Sequence, residues 1–216
     1  KEMEEYNQAI SVYEKAIELN PEYYEAYNNL GTALGKNEQY EEAEKVLKQV
    51  IKLQPDLIDH PKNFISYFYL GSLYHECNDL KNAIIYFKKS VKLNPNYFNS
   101  WFKLGIASNN FKKPYEAIHA YEKALEINPN HVETLNNLGT IHHYILQYEK
   151  SIEYYKQAIK SNPHFNILYS NLALAYKDSG DIRNSIKYYK LAIEKNPHDE
   201  VPLNQIGQLF RELNNL

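Results

Sequence analysis

Apolar side chains recur along this chain at helical spacing, in short bursts separated by polar turns. Tyr27, Leu30 and Leu34 fall on one face of a helix, and Ala43, Leu47 and Val50 on one face of the next. The same two-helix pattern returns down the sequence. A Leu-Gly pair marks each first helix: Leu30-Gly31, Leu70-Gly71, Leu104-Gly105 and Leu138-Gly139, with Leu172-Ala173 and Ile206-Gly207 in equivalent places. Each second helix carries a small residue (Ala9, Ala43, Ala83, Ala117, Ser151, Ser185) and, four residues later, a bulky one (Tyr13, Leu47, Phe87, Tyr121, Tyr155, Tyr189). Antiparallel helices approach closely only where a small residue on one admits a large residue from the other. A glycine inside a helix costs about 1 kcal/mol relative to alanine, so its recurrence predicts a contact that excludes a larger side chain.

Prolines give the period. Pro21, Pro55, Pro95, Pro129, Pro163 and Pro197 are spaced by 34, 40, 34, 34 and 34 residues, and all but Pro55 follow asparagine. Proline cannot continue a helix, and asparagine tolerates the left-handed backbone that often ends one, so each Asn-Pro is expected to be a stop of that kind. Turns between paired helices are marked by Asn78-Asp79 and Ser179-Gly180-Asp181. The layout expected is a second helix over 1–23 and repeats over 24–57, 64–97, 98–131, 132–165 and 166–199. An insertion over 58–63 and a further first helix over 200–216 complete it. The insertion is expected either to lengthen the loop between repeats or to extend the preceding helix by about a turn, and it reads as a tolerated surface insertion, since loops accept length cheaply. Because the pattern begins and ends in mid-repeat, and solenoids need polar caps, a piece of a longer protein is expected.

The first-helix cores "YNNLG", "YFYLG", "WFKLG", "LNNLG" and "YSNLA", with the small, bulky and proline slots that follow, resemble the tetratricopeptide repeat family. The resemblance covers essentially the whole chain. It implies an all-α fold, a right-handed superhelical solenoid of antiparallel helix pairs, that binds proteins or peptides and lacks catalysis. Departures are mild: Ser151 and Ser185 replace a central alanine, Leu135 an aromatic, and Ser108 and His142 stand in tyrosine slots.

Composition narrows the function further. With 24 basic and 27 acidic residues, the net charge of −3 offers no footprint for nucleic acid. No apolar run is long enough to span a membrane, and no membrane partner is expected. Cys77 is the single cysteine, which excludes a disulfide framework within the chain and points to a reducing compartment, the cytoplasm or the nucleus. There is no phosphate-binding glycine loop, HExxH is absent, and His142 and His143 are neighbours that face different ways on a helix. No catalytic residue, metal or cofactor is expected. Nine of the 21 tyrosines, Tyr13, Tyr27, Tyr67, Tyr74, Tyr121, Tyr155, Tyr169, Tyr176 and Tyr189, fall in packing slots.

The family resemblance places the ligand on the concave wall formed by first helices. Chaperone-binding members grip a C-terminal carboxylate through lysines there. The corresponding slot reads Asn28, Phe68, Phe102, Asn136, Ser170, Asn204, so no carboxylate-clamp chaperone tail is expected. The next slot reads Asn29, Tyr69, Lys103, Asn137, Asn171, Gln205, a half-present version of the asparagine ladder found in O-linked GlcNAc and fucose transferases. "YSNLALAYKDSGDI" is also similar to the repeats of those enzymes. A carboxamide offers donor and acceptor together and can pair with a peptide backbone of any sequence. The expected groove therefore comprises Asn29, Phe68, Tyr69, Phe102, Lys103, Asn136, Asn137, Asn171 and Asn204, with an aromatic pocket between asparagine flanks. Three functions compete: an adaptor binding peptide or helical segments, the substrate-recruiting region of a larger O-glycosyltransferase, and an architectural subunit of an assembly.

Overall fold

The computed structural model describes residues 2–53 and 63–213. Among them are twelve α-helices and no strand: α1 (Glu2–Leu19), α2 (Tyr24–Lys36), α3 (Tyr40–Lys52), α4 (Phe64–Glu76), α5 (Leu80–Leu93), α6 (Phe98–Asn110), α7 (Pro114–Ile127), α8 (Val132–Tyr144), α9 (Tyr148–Ser161), α10 (Ile167–Asp178), α11 (Ile182–Lys195) and α12 (Glu200–Leu213). The fold is an all-α solenoid of helical repeats. The proposed 58–63 insertion, apart from Asn63, lies outside the described residues, as does Pro55. The chain divides into two compact units, Lys1–Ala120 and Tyr121–Leu216.

In the first unit α2 packs on α1 and α3, α4 on α3 and α5, and α6 on α5. One core cluster gathers Leu30, Leu34, Ala43, Leu47, Leu70 and Leu73, with Ile10, Tyr13 and Ile17 of α1 against it. A second joins Ala83, Ile84, Phe87, Val91, Leu104, Ala107 and Ala120. In the second unit Leu135, Tyr155, Ala158, Leu168, Leu172, Ala175 and Tyr176 form one cluster. Ala173, Tyr189 and Ile206 form another. Each buried Leu or Phe of this kind stabilises the fold by about 1.5–3 kcal/mol through removal of apolar surface from water.

The Leu-Gly slot interlocks as its recurrence predicts. A Cβ on Gly31 would lie 2.5 Å from Leu47 Cγ, one on Gly71 2.7 Å from Phe87 Cδ1, and one on Gly139 2.7 Å from Tyr155 Cε1. The partner each time is the bulky second-helix residue of the same pair.

The Asn-Pro stops act by a different mechanism from the one expected. Asn94, Asn162 and Asn196 have φ of −134°, −144° and −142°, extended rather than left-handed. A following proline disfavours helical backbone at the residue before it, which drives asparagine to that conformation. The side chain then closes an Asx turn: Asn20, Asn94 and Asn162 each accept through Oδ1 from the N–H two residues on, at 3.1 Å. Left-handed backbone lies instead in the turn inside each helix pair. Glu38, Asn78, Lys112, Leu146 and Gly180, at one and the same slot, have φ of 62°, 58°, 59°, 63° and 87°. The next residue's N–H returns to a carbonyl five residues back, as in Gln39 to Leu34 O at 2.9 Å and Gln147 to His142 O at 2.8 Å, which is the Schellman pattern.

Candidate functional site

In the first unit the exposed face of the first helices carries five of the candidate residues. Asn29 on α2 is exposed, whereas its neighbour Asn28 is buried, accepting through Oδ1 from Ser66 Oγ of α4 at 3.0 Å. At Asn28 this slot thus ties α2 to α4. Phe68 and Tyr69 are half-buried and meet edge to face at 5.5 Å. Phe68 also contacts Tyr97 at 5.4 Å and Phe87 at 6.0 Å, which seats its ring against the core. Phe102 stacks on Phe98 with centroids 5.7 Å apart. The aromatic residues are therefore shared between packing and surface.

Tyr69 and Asn29 line a common cavity of about 660 Å³, together with Tyr24, Asn28, Ile65 and Ser66. That volume lies in the range of small-ligand and peptide side-chain sites. Helical spacing does not single out Tyr24 or Ser66, which stand in the first turns of α2 and α4. Burial pushes the Tyr69 phenol above its ordinary value, so it is a neutral donor at physiological pH. Lys36 and Glu76 close an ion pair at 2.6 Å between α2 and α4, and the hydrogen bond to Glu76 raises the lysine pKa. Lys103 is half-buried. Its charge acts with burial to hold the His75 imidazole below its ordinary range.

The second unit presents the remaining four candidates. Asn171 Nδ2 on α10 donates to Asn136 Oδ1 on α8 at 3.0 Å, linking successive first helices through their carboxamides. Asn137 Nδ2 donates to the Tyr121 hydroxyl at 3.1 Å, and that phenol is raised above its ordinary range by burial. Asn204 on α12 is exposed, while Ser170, in the slot of Asn136 and Asn204, is buried. Each amide of the α8–α10 pair keeps capacity in reserve, for a carboxamide has two donors and an acceptor with two lone pairs. Asn136 Nδ2 and Asn171 Oδ1 make no hydrogen bond among the described residues. At the edge of this unit His143 Nε2 stands 2.8 Å from Asp178 Oδ2, a hydrogen bond between α8 and α10.

Among the described residues no group of three or more His, Cys, Asp and Glu side chains is placed to hold a metal ion. No helix among them is long and apolar enough to cross a membrane. The chemistry on these faces is hydrogen bonding and aromatic contact.

Models of the tetratricopeptide repeat match residues 2–62, 65–97, 97–162 and 168–199. No curated protein matches the chain. Among solved structures, MamA protein aligns with a TM-score of 0.73 at 25% identity, over 81% of this chain and 92% of that one. YrrB, a TPR protein with an unusual peptide-binding site, aligns with a TM-score of 0.76 at 18% identity, over 90% and 97% of the two chains. PilF of Pseudomonas aeruginosa gives 0.74 at 16% identity, over 94% and 90%. The likenesses to YrrB and PilF show the fold.

Proposed function

From the premise that the chain belongs to the tetratricopeptide repeat family, a family of protein-interaction scaffolds, we propose that it is a non-catalytic adaptor binding peptide segments on its first-helix faces. The division into repeats at 24–57, 64–97, 98–131, 132–165 and 166–199 belongs to this reading. The observation that carries it is the state of the carboxamides. Asn136 and Asn171 are held to one another at 3.0 Å, so their geometry is set before a ligand arrives, yet a donor and an acceptor remain. Preorganised donor–acceptor pairs of this kind suit a peptide backbone, because ordering two free side chains on binding would cost affinity. In the other unit Asn29 and Tyr69 bring the same chemistry to the 660 Å³ cavity. YrrB, similar in fold, is described as having a peptide-binding site, which agrees with this reading.

The test begins with peptides selected from a random displayed library and resynthesised, and measures their affinities by calorimetry. Asn171→Ala is expected to weaken unrelated peptides by a similar factor, about two- to tenfold, as loss of a net hydrogen bond of ~0.5–1.5 kcal/mol implies. Asn29→Ala does the same for peptides seated on the first unit. Failure to select any peptide, or affinities unchanged in both variants, would sink the proposal.

A further inference from the structure

Three helix pairs share a ring stack; α2–α3 fills the same two slots with the aliphatic Leu34 and Val46, and α6–α7 fills them with neither. Three residues after the Leu-Gly slot, α4 carries Tyr74, α8 His142 and α10 Tyr176. Nine residues before each following proline, the partner helix carries Tyr86, Tyr154 or Tyr188. The rings stack face to face: Tyr74 on Tyr86 at 5.3 Å and 4°, His142 on Tyr154 at 5.3 Å and 16°, Tyr176 on Tyr188 at 5.5 Å and 12°. In the α6–α7 pair both slots are small, Ser108 and Ala120. A cavity of about 510 Å³ stands beside Ser108, lined also by Lys88, Val91, Trp101, Leu104 and His119 among others. It opens between the second helices α5 and α7, with α6 as its floor, and so is distinct from the first-helix faces.

Two details describe what the cavity fits. Ser108 is fully buried, lines the cavity, and its hydroxyl has no hydrogen-bond partner. Buried hydroxyls are nearly always satisfied, so an orphan on a residue that lines a cavity marks an interaction still to be made. Lys88, on the rim, occupies the slot seven residues before the proline, as do Lys48 and Lys156. Lys156 stands over the Tyr176 ring, 5.4 Å from its centroid, and Lys48 shares Glu44 with the Tyr74 hydroxyl. At both places the lysine sits beside a phenol. Lys88 has only its ion pair with Glu116, at 2.7 Å, to stand in for one.

We propose that this cavity receives a tyrosine side chain of a partner protein, inserted where three other helix pairs supply their own ring. The ring packs against Trp101, Val91 and Leu104, and its hydroxyl meets the Ser108 hydroxyl or the Lys88 ammonium. The site is offset from the first-helix faces, so a partner could hold both at once and gain avidity without a stronger contact at either.

Trp101 is the only tryptophan and lines the cavity, which makes its fluorescence a direct reporter. The full chain is titrated with a tryptophan-free pentapeptide centred on tyrosine, with the same peptide carrying alanine, and with p-cresol. Expected is a saturable change with the tyrosine peptide and p-cresol and none with the alanine peptide. Ser108→Tyr with Ala120→Tyr, which rebuilds the stack, is expected to keep a cooperative melt and bind the tyrosine peptide at least about tenfold more weakly. Should that variant not fold, Lys88→Met decides, with an expected loss of about threefold or more. No saturable response, equal affinity in the refilled variant, unchanged affinity in Lys88→Met, or saturation by p-cresol without the peptide overturns the proposal.

Discussion

His142 shows how a single substitution in a packing slot couples the fold to pH. Its ring takes a tyrosine's place and stacks on Tyr154, with Nδ1 at 2.8 Å from Gln147 Oε1 and Nε2 without a partner. Burial is the main cause holding its pKa below the ordinary value, and nearby Lys150 acts in the same direction, while Gln147 and Glu122 oppose them. In the unfolded chain the imidazole titrates near its usual value, about 6.5. The folded pKa is the lower of the two, so the unfolded state takes up the proton first. The contribution of His142 is therefore whole above about pH 6.5 and is lost as the pH falls through the folded pKa. His142→Tyr should reduce the loss of melting temperature between about pH 7 and pH 5. The check is a set of thermal melts by circular dichroism across that range, and the same slope in both proteins would count against the assignment. Tyr74, in the same slot of α4, has no such sensitivity: burial and the hydrogen bond to Glu44 push its phenol up to about 12.

At the scale of the element, the helix pair depends on its turn. All five turns place one residue in left-handed backbone, but only Gly180 is glycine, whereas Leu146 holds φ 63° with its side chain 69% exposed. An L-residue there costs about 1–2 kcal/mol, against roughly 0.5–1 kcal/mol of chain entropy for glycine. An exposed leucine has little packing to set against that difference. Leu146→Gly should stabilise by up to about 1 kcal/mol, read as a higher denaturation midpoint with an unchanged slope. A lower midpoint would mean that the Leu146 side chain has a packing role. The turns also show where the sequence stops being legible. Asn78 and Gly180 announce left-handed backbone by residue type, but Glu38, Lys112 and Leu146 do not, since packing of the flanking helices imposes it on them. The Asn-Pro stops were legible as stops, although their extended backbone and Asx bonds follow from the proline rather than from the asparagine. For the candidate site, spacing identifies which face a residue is on and not what stands opposite. Asn28 is bound by Ser66, and Phe68 is drawn to Phe87 and Tyr97, through contacts across helices that no count along one helix contains. Ser108 was visible as a departure from tyrosine, and it lines a cavity only once α5 and α7 flank α6.

At the scale of the whole chain, repeats make stability a sum of local and nearest-neighbour contributions, so the same substitution can have opposite signs at equivalent positions. Glycine in the Leu-Gly slot costs helix stability everywhere, about 0.8–1 kcal/mol relative to alanine. What differs is the space across from it. At Gly139 a Cβ would stand 2.7 Å from the ring of Tyr155, which is 3% exposed and bonded to Thr140, so ring or helix must move. Overpacking of that kind costs about 1–3 kcal/mol and outweighs the helical gain. The equivalent interlock between α10 and α11 does hold an alanine, Ala173, and there the hydroxyl of the facing Tyr189 is left without a partner. At Gly207 on α12 nothing among the described residues lies within 4 Å of the added carbon, so only the helical gain remains. Gly139→Ala should thus lower the denaturation midpoint and Gly207→Ala raise it, the latter by about 1 kcal/mol. The two are compared in the same chain by urea denaturation, together with the double variant. Side chains at these positions share no contact, so the effects should add to within about 0.5 kcal/mol. A midpoint raised by both substitutions would show that the interlock yields cheaply, and that close helix approach is not what the recurring glycine serves.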